Sequence, residues 1–214
     1  TGMQAAGFNQ NGNYLTVQLK QHQNFGPSQI RLQVVSDKII RVQATAEQSF
    51  RNKQSLIIVP QNSKANYKVE EQGDNLIITT AAMRAVMNEA TGQITFYDLK
   101  DNVLLNEVAQ GGKTFKPFTV PDREIGVDIA KVPEAQKHGW SWRALFNSPD
   151  NEAFYGLGQH QSEELNMKGK NEDLFQYNTK VSVPFVISNK NYGILWDSYS
   201  YCRWGNPGAY LQLN

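Results

Sequence analysis

The chain has 214 residues, with 21 Lys and Arg against 20 Asp and Glu, a formal charge of +1. A chain of this length buries a sizeable core without disulfide or metal staples, and all-β sandwiches of roughly 200–250 residues often form one domain. No block of about five like charges marks a tract for nucleic acid or an anionic membrane, and no apolar run approaches the ~20 residues that span a bilayer.

The chain begins Thr1-Gly2-Met3-Gln4, and no charged-then-apolar N-terminal segment reads as a secretory signal. The dominant period is two. Tyr14–Lys20, Gln29–Val34 and Ile40–Ala44 alternate apolar with polar residues, which puts the apolar ones on one face of a pleated strand. Further strands are predicted over 55–60, 67–71, 75–80, 83–89, 92–98 and 102–107. Glu71-Gln72-Gly73-Asp74-Asn75, Glu89-Ala90-Thr91-Gly92 and Asp98-Leu99-Lys100-Asp101-Asn102 separate several of them, with residues that tolerate positive φ. Residues 108–124, with Gly111-Gly112, Pro117 and Pro121, read as an irregular connection; strands follow at 125–132 and 140–147. Asn147-Ser148-Pro149-Asp150-Asn151-Glu152 reads as a second connection, and the last strands fall at 181–188 and 192–197, around Asn189-Lys190-Asn191. No amphipathic helix longer than about two turns stands out. Short strands at about 8–12-residue spacing define an all-β fold, a sandwich or barrel. The closing run Ala209-Tyr210-Leu211-Gln212-Leu213-Asn214 still alternates, so the end reads as a cut within or beside a strand.

Few residues carry chemistry by themselves. The lone Cys202, among Tyr201, Arg203 and Trp204, reads as a buried structural thiol. His22, His138 and His160 have no zinc spacing, and no nucleophile elbow, P-loop or dinucleotide fingerprint is present. Glu163-Glu164 and Glu172-Asp173 read as solvated loop residues. Trp140 and Trp142 share one strand face, which suits a packed core or a domain interface better than a sugar platform.

The densest segment starts with Phe154-Tyr155-Gly156-Leu157-Gly158-Gln159-His160 and continues through Leu165-Asn166-Met167-Lys168-Gly169. Gln176-Tyr177-Asn178-Thr179, Val183-Pro184-Phe185-Val186-Ile187-Ser188 and Asn191-Tyr192-Gly193-Ile194-Leu195-Trp196-Asp197 follow. Glycines inside a strand mark a bulge or a close backbone approach, and Pro184 implies an edge strand or a bulge. Amides and aromatic rings on a loop between rigid strands suit a sugar: rings cover its apolar faces, and amides both donate and accept hydrogen bonds.

This ordered set of motifs resembles glycoside hydrolase family 31, and within it the α-xylosidase-like branch that also contains α-glucosidases. Arg31–Val42 is similar to that family's opening strands, so the resemblance spans most of residues 28–205. It implies a β-sandwich of the galactose-mutarotase-like type that precedes a (β/α)8 barrel holding both catalytic carboxylates. It implies also that a loop of the sandwich reaches over the barrel mouth, which makes Gln176, Tyr177, Asn178 and Thr179 candidate substrate-binding residues. The expected partners are the chain's own catalytic barrel and the oligosaccharide substrate, with no cofactor and no metal. The implied parent removes terminal α-xylosyl or α-glucosyl residues with retention, and a bacterial parent in the periplasm or at the cell surface fits the resemblance. Retention needs two carboxyl groups about 5–5.5 Å apart, and no catalytic residue is assigned within this chain. Asp197, after Trp196, has the wrong order and neighbours for the family's catalytic strand and reads as a hydrogen-bonding residue at a strand end. Two other functions are weighed: an independent carbohydrate-binding module, and a free-standing mutarotase-like enzyme, which would need a positioned histidine and glutamate.

Overall fold

A computed structural model describes residues 7–20, 24–51, 54–59, 65–119, 128–161, 164–198, 200–205 and 210–213. The first half is a run of antiparallel strands: β1 (Phe8–Asn11), β2 (Tyr14–Gln18), β3 (Gln29–Ser36), β4 (Ile39–Thr45), β5 (Tyr67–Gln72), β6 (Asn75–Thr80), β7 (Met83–Asn88), β8 (Ile94–Asp98) and β9 (Val103–Glu107). The second half contains β10 (Lys113–Thr119), a four-residue helix α1 (Glu134–Lys137), β11 (His138–Asn147) and β12 (Phe154–Gln159). After these come β13 (Asn171–Leu174), β14 (Val181–Ser188), β15 (Tyr192–Leu195), β16 (Cys202–Gly205) and β17 (Tyr210–Leu213).

Three sheets result. β1-β2-β3-β4 form one and β12-β14-β15 another, while a large sheet runs β13-β16-β17-β11-β9-β8-β7-β6-β5, with β10 paired on β11. The large sheet backs both smaller ones, so there are two cores. Leu15, Val17, Ile30, Leu32 and Val34 from β2 and β3 meet Leu76, Ile78, Ala85, Met87 and Ile94. Phe154, Leu157, Val186 and Trp196 meet Phe146, Leu174, Cys202 and Trp204 in the second. Here Phe154 meets Trp204 edge-on, and Trp142 stacks between Phe115 and Trp196 at centroid distances of 5.6 and 4.3 Å. This is the all-β fold that the strand spacing predicts, in the sandwich form that the resemblance implies, and Cys202 is buried in it.

The turns follow the predicted chemistry. Gly73 has φ +62 in the two-residue loop between Gln72 and Asn75, Asn88 Oδ1 accepts the backbone N–H of Ala90 and Thr91, and Asp98 Oδ1 accepts those of Lys100 and Asn102. Three expectations need correction. Residues 54–59 form no strand: Ser55 Oγ accepts the N–H of both Ile57 and Ile58, curling the backbone, and residue 60 lies outside the described residues. In place of the strand predicted over 125–132, Ile129–Lys131 make a 3₁₀ turn closed by Lys131 N–H on the Asp128 carbonyl; 125–127 lie outside the described residues. The stretch read as irregular contains β10, where Pro117 is tolerated because, among the described residues, β10 pairs with one named strand, β11.

Candidate functional site

The site is built where β12, β13 and β14 come together. Gly156 has φ +127 and Gly158 φ +100, and an added Cβ would lie 2.6 Å from the Phe185 carbonyl oxygen or 2.0 Å from that of Val181. Both readings of these glycines hold: the backbones approach closely, and the β12–β14 register slips between Gly156 and Gly158. Between them Leu157, at φ +68, points into the core. Pro184 lies opposite this irregularity, in the middle strand of its sheet, so the bulge reading is right and the edge reading is not. Its missing N–H falls where the β12–β14 ladder is interrupted, while its carbonyl accepts Trp196 N–H at 2.8 Å.

β13 leads through Phe175 and Gln176 into a tight turn closed by Lys180 N–H on the Tyr177 carbonyl at 2.8 Å. Gln176, Tyr177, Asn178 and Thr179 are all exposed at this turn. Gln176 Oε1 accepts Ser182 N–H, and Ser182 Oγ donates to the Phe175 carbonyl, which fixes how the turn leaves the sheet. Beside it is an open groove of about 260 Å³, lined by Phe175, Gln176, Ser182, Pro184, Ser200 and Tyr201 among others. Phe175 stacks on Tyr177 at 5.1 Å and lies 5.9 Å from Tyr201, so two half-exposed rings line the groove and a third stacks on one of them.

Charge is organised underneath. Glu172 and Asp173, expected in a solvated loop, lie on β13. Glu172 bonds the mostly buried Lys180, and His160 Nδ1 faces the same carboxylate oxygen at 3.2 Å. His160 Nε2 donates to the Leu157 carbonyl at 2.7 Å, a structural hydrogen bond. Asp173 accepts from Tyr201 at 2.9 Å and Arg203 at 2.8 Å; the Tyr201 hydroxyl, then the Arg203 guanidinium, hold its carboxyl below the ordinary range. The same hydrogen bond pushes the Tyr201 hydroxyl up. Glu164 is exposed and pairs with Lys170, and Glu163 lies outside the described residues. Asp197 accepts from Arg41 at 2.5 Å and Ser55 at 2.6 Å just beyond β15, as a hydrogen-bonding residue at a strand end. Among the described residues no group of three or more His, Cys, Asp or Glu is placed to hold a metal ion, and no helix is long and apolar enough to cross a membrane.

One exposed apolar surface stands out among the described residues. On β14 the side chains of Val181, Val183, Phe185 and Ile187 face outward, joined by Tyr155 of β12 and Leu195 of β15, each between 38% and 50% exposed. Ser182, Pro184, Val186 and Ser188 take the inner face. The strand predicted over 181–188 places Val181, Val183, Phe185 and Ile187 on one face, but only the structure shows that this face points away from the core. The two tryptophans also part company: Trp142 packs in the core, whereas Trp140 remains 45% exposed. Phe175, Tyr201, Glu172 and Lys180 were missed as site residues, because only the fold brings 172–182 and 200–203 together.

Known proteins carry the same architecture. A family description reading "Glycosyl hydrolase 31 N-terminal galactose mutarotase-like domain" matches residues 29–204. A family 31 glucosidase of Pseudescherichia vulneris is 26% identical over 178 residues, 79% of this chain and 32% of its own. An α-xylosidase of Saccharolobus solfataricus is 25% identical over 176 residues, 82% of this chain and 23% of its own. The crystal structure of a family 31 α-xylosidase from Xanthomonas citri superimposes with a TM-score of 0.78 at 36% identity, over 92% of this chain and 20% of that one. The chain thus spans about a third or less of these relatives' length. With the two-core β-sandwich and the ordered motifs, the match places the chain in glycoside hydrolase family 31, as the N-terminal galactose-mutarotase-like domain.

Proposed function

We propose that this domain is the non-catalytic partner of a retaining α-glycosidase barrel acting on terminal α-xylosyl or α-glucosyl residues. It packs on the barrel through the face made by Tyr155, Val181, Val183, Phe185, Ile187 and Leu195, and lends Gln176, Tyr177, Asn178 and Thr179 to the substrate pocket. The observation that carries this is the apolar face with the exposed turn beside it. A sheet that turns Val, Phe and Ile toward water on every second residue presents a surface suited to another domain. The neighbouring acids support a non-catalytic role, since Glu172 is engaged by Lys180 and Asp173 by Arg203 and Tyr201.

The test is hydrolysis of 4-nitrophenyl α-xyloside and α-glucoside by this chain beside the full-length parent. Cleavage by the parent alone is the expected result, and it identifies the parent's sugar. Cleavage by the chain alone places the carboxylates within these residues and ends the proposal. The rings of Phe175 and Tyr201 on the groove, with Tyr177 stacked on Phe175, favour a second reading, an independent carbohydrate-binding module; calorimetric titration of the chain with α-linked oligosaccharides separates the two, because a module binds without any barrel.

A further inference from the structure

The residues at the two ends of the turn suggest how it is held. Glu172 precedes it on β13, Lys180 closes it at the foot of β14, and their side chains pair across the neck. Lys180 Nζ also donates to the Asp173 carbonyl and lies 5.7 Å from the centre of the Phe175 ring. His160, just beyond β12, faces the same Glu172 oxygen from the other side while it donates to Leu157. One cluster therefore ties the ends of three strands from two sheets under a turn whose tip residues are exposed.

We propose that the Lys180–Glu172 pair, backed by His160, is a positioning clamp that presets the Gln176–Thr179 turn for substrate; this rests on the reading that the turn lines the substrate pocket. A partly buried ion pair gains little stability over a neutral pair of the same shape, because desolvation offsets the attraction. What such a pair does supply is a fixed geometry. Ordering a loop residue only at binding costs about 1–2 kcal/mol of backbone entropy each, and a neck closed beforehand spares that cost. Lys180, Glu172 and His160 touch no substrate in this scheme and act through the turn.

The experiment uses the full-length parent and whichever 4-nitrophenyl glycoside it cleaves. Glu172→Gln with Lys180→Met neutralises the pair at nearly constant shape. The expected result is a rise in KM of about tenfold or more, with kcat changed by less than about threefold. The thermal midpoint should stay within about 3 °C of the parent's, and Lys180→Arg, which keeps the charge, should hold KM near the parent's. Tyr177→Ala is the control for the turn itself. If Tyr177→Ala raises KM and the neutral pair does not, the clamp is overturned and the turn's role stands. If neither variant moves KM, the turn does not meet this substrate, and both ideas fall. A neutral-pair variant that loses its cooperative unfolding transition assigns the cluster to stability and overturns the clamp as well.

Discussion

Lys113→Met isolates the most deeply buried ion pair in the chain's larger sheet. Lys113 and Glu107 have side chains only 5% and 4% exposed, at the start of β10 and the end of β9. Lys113 Nζ donates to both carboxylate oxygens of Glu107 and, at 3.1 Å, to the Gly92 carbonyl in the turn before β8. Glu107 Oε2 also accepts the buried N–H of Ile94 at 2.9 Å. The methionine fills much of the lysine's volume but leaves a carboxylate with that single buried donor, a change worth about 3–5 kcal/mol. For a chain of this size each kcal/mol moves the melting temperature by about 2–4 °C, so the loss is roughly 6–20 °C. Combining Lys113→Met with Glu107→Gln removes both charges and keeps an acceptor for Ile94, so the double variant should lie within about 1–2 kcal/mol of the parent or above it. Urea and thermal unfolding of the single and double variants give the comparison. A single variant losing less than about 1 kcal/mol, or a double variant no better than the single, would refute the reasoning.

Other outcomes follow from the same geometry. Gly158→Ala meets both a positive φ and a carbonyl oxygen 2.0 Å from the new Cβ, whereas Gly73→Ala has open space; urea midpoints should show about 2–6 kcal/mol lost at Gly158 against about 1–2 at Gly73. Burial, then the hydrogen bond to Glu152, pushes the Tyr192 hydroxyl far up, so its contribution is complete below the unfolded value near 10 and declines as pH rises above it. Tyr192→Phe should therefore flatten the alkaline limb of a pH–stability curve. Asp173 is shifted the other way: its contribution is complete above the unfolded value near 3.9 and is lost as pH falls through its lower folded value. The stability curve of Asp173→Asn should accordingly converge on the parent's at the acid end.

Local signals carried the fold a long way. The alternation over 29–34 is found as β3 and the strand predicted over 75–80 as β6, and Gly73, Asn88 and Asp98 make the turns their chemistry dictates. The expectations that missed did so where a neighbour overruled propensity. Ser55 Oγ curls an Ile-rich run that would otherwise extend, and β11 recruits the proline-containing stretch at 113–119 as a strand. At the site, the exposed Gln176–Thr179 turn was legible as a polar, amide-rich interruption between strand-like runs, but the groove was not, because Tyr201 arrives from 25 or so residues further on.

The sequence by itself determined that this is an all-β chain with family 31 motifs in order, because strand period and turn residues act over a few positions. Only the tertiary structure decided which face of Val181–Ser188 is buried. In isolation, an alternating strand would put Val181, Val183, Phe185 and Ile187 inside. Here the inner position is taken by Val186, which joins Trp196, Trp204 and Phe154 in the second core, while the bulge opposite Pro184 sets the strand's register. The apolar row is left outside, and the choice rests on contacts between residues far apart in the chain that no local pattern encodes.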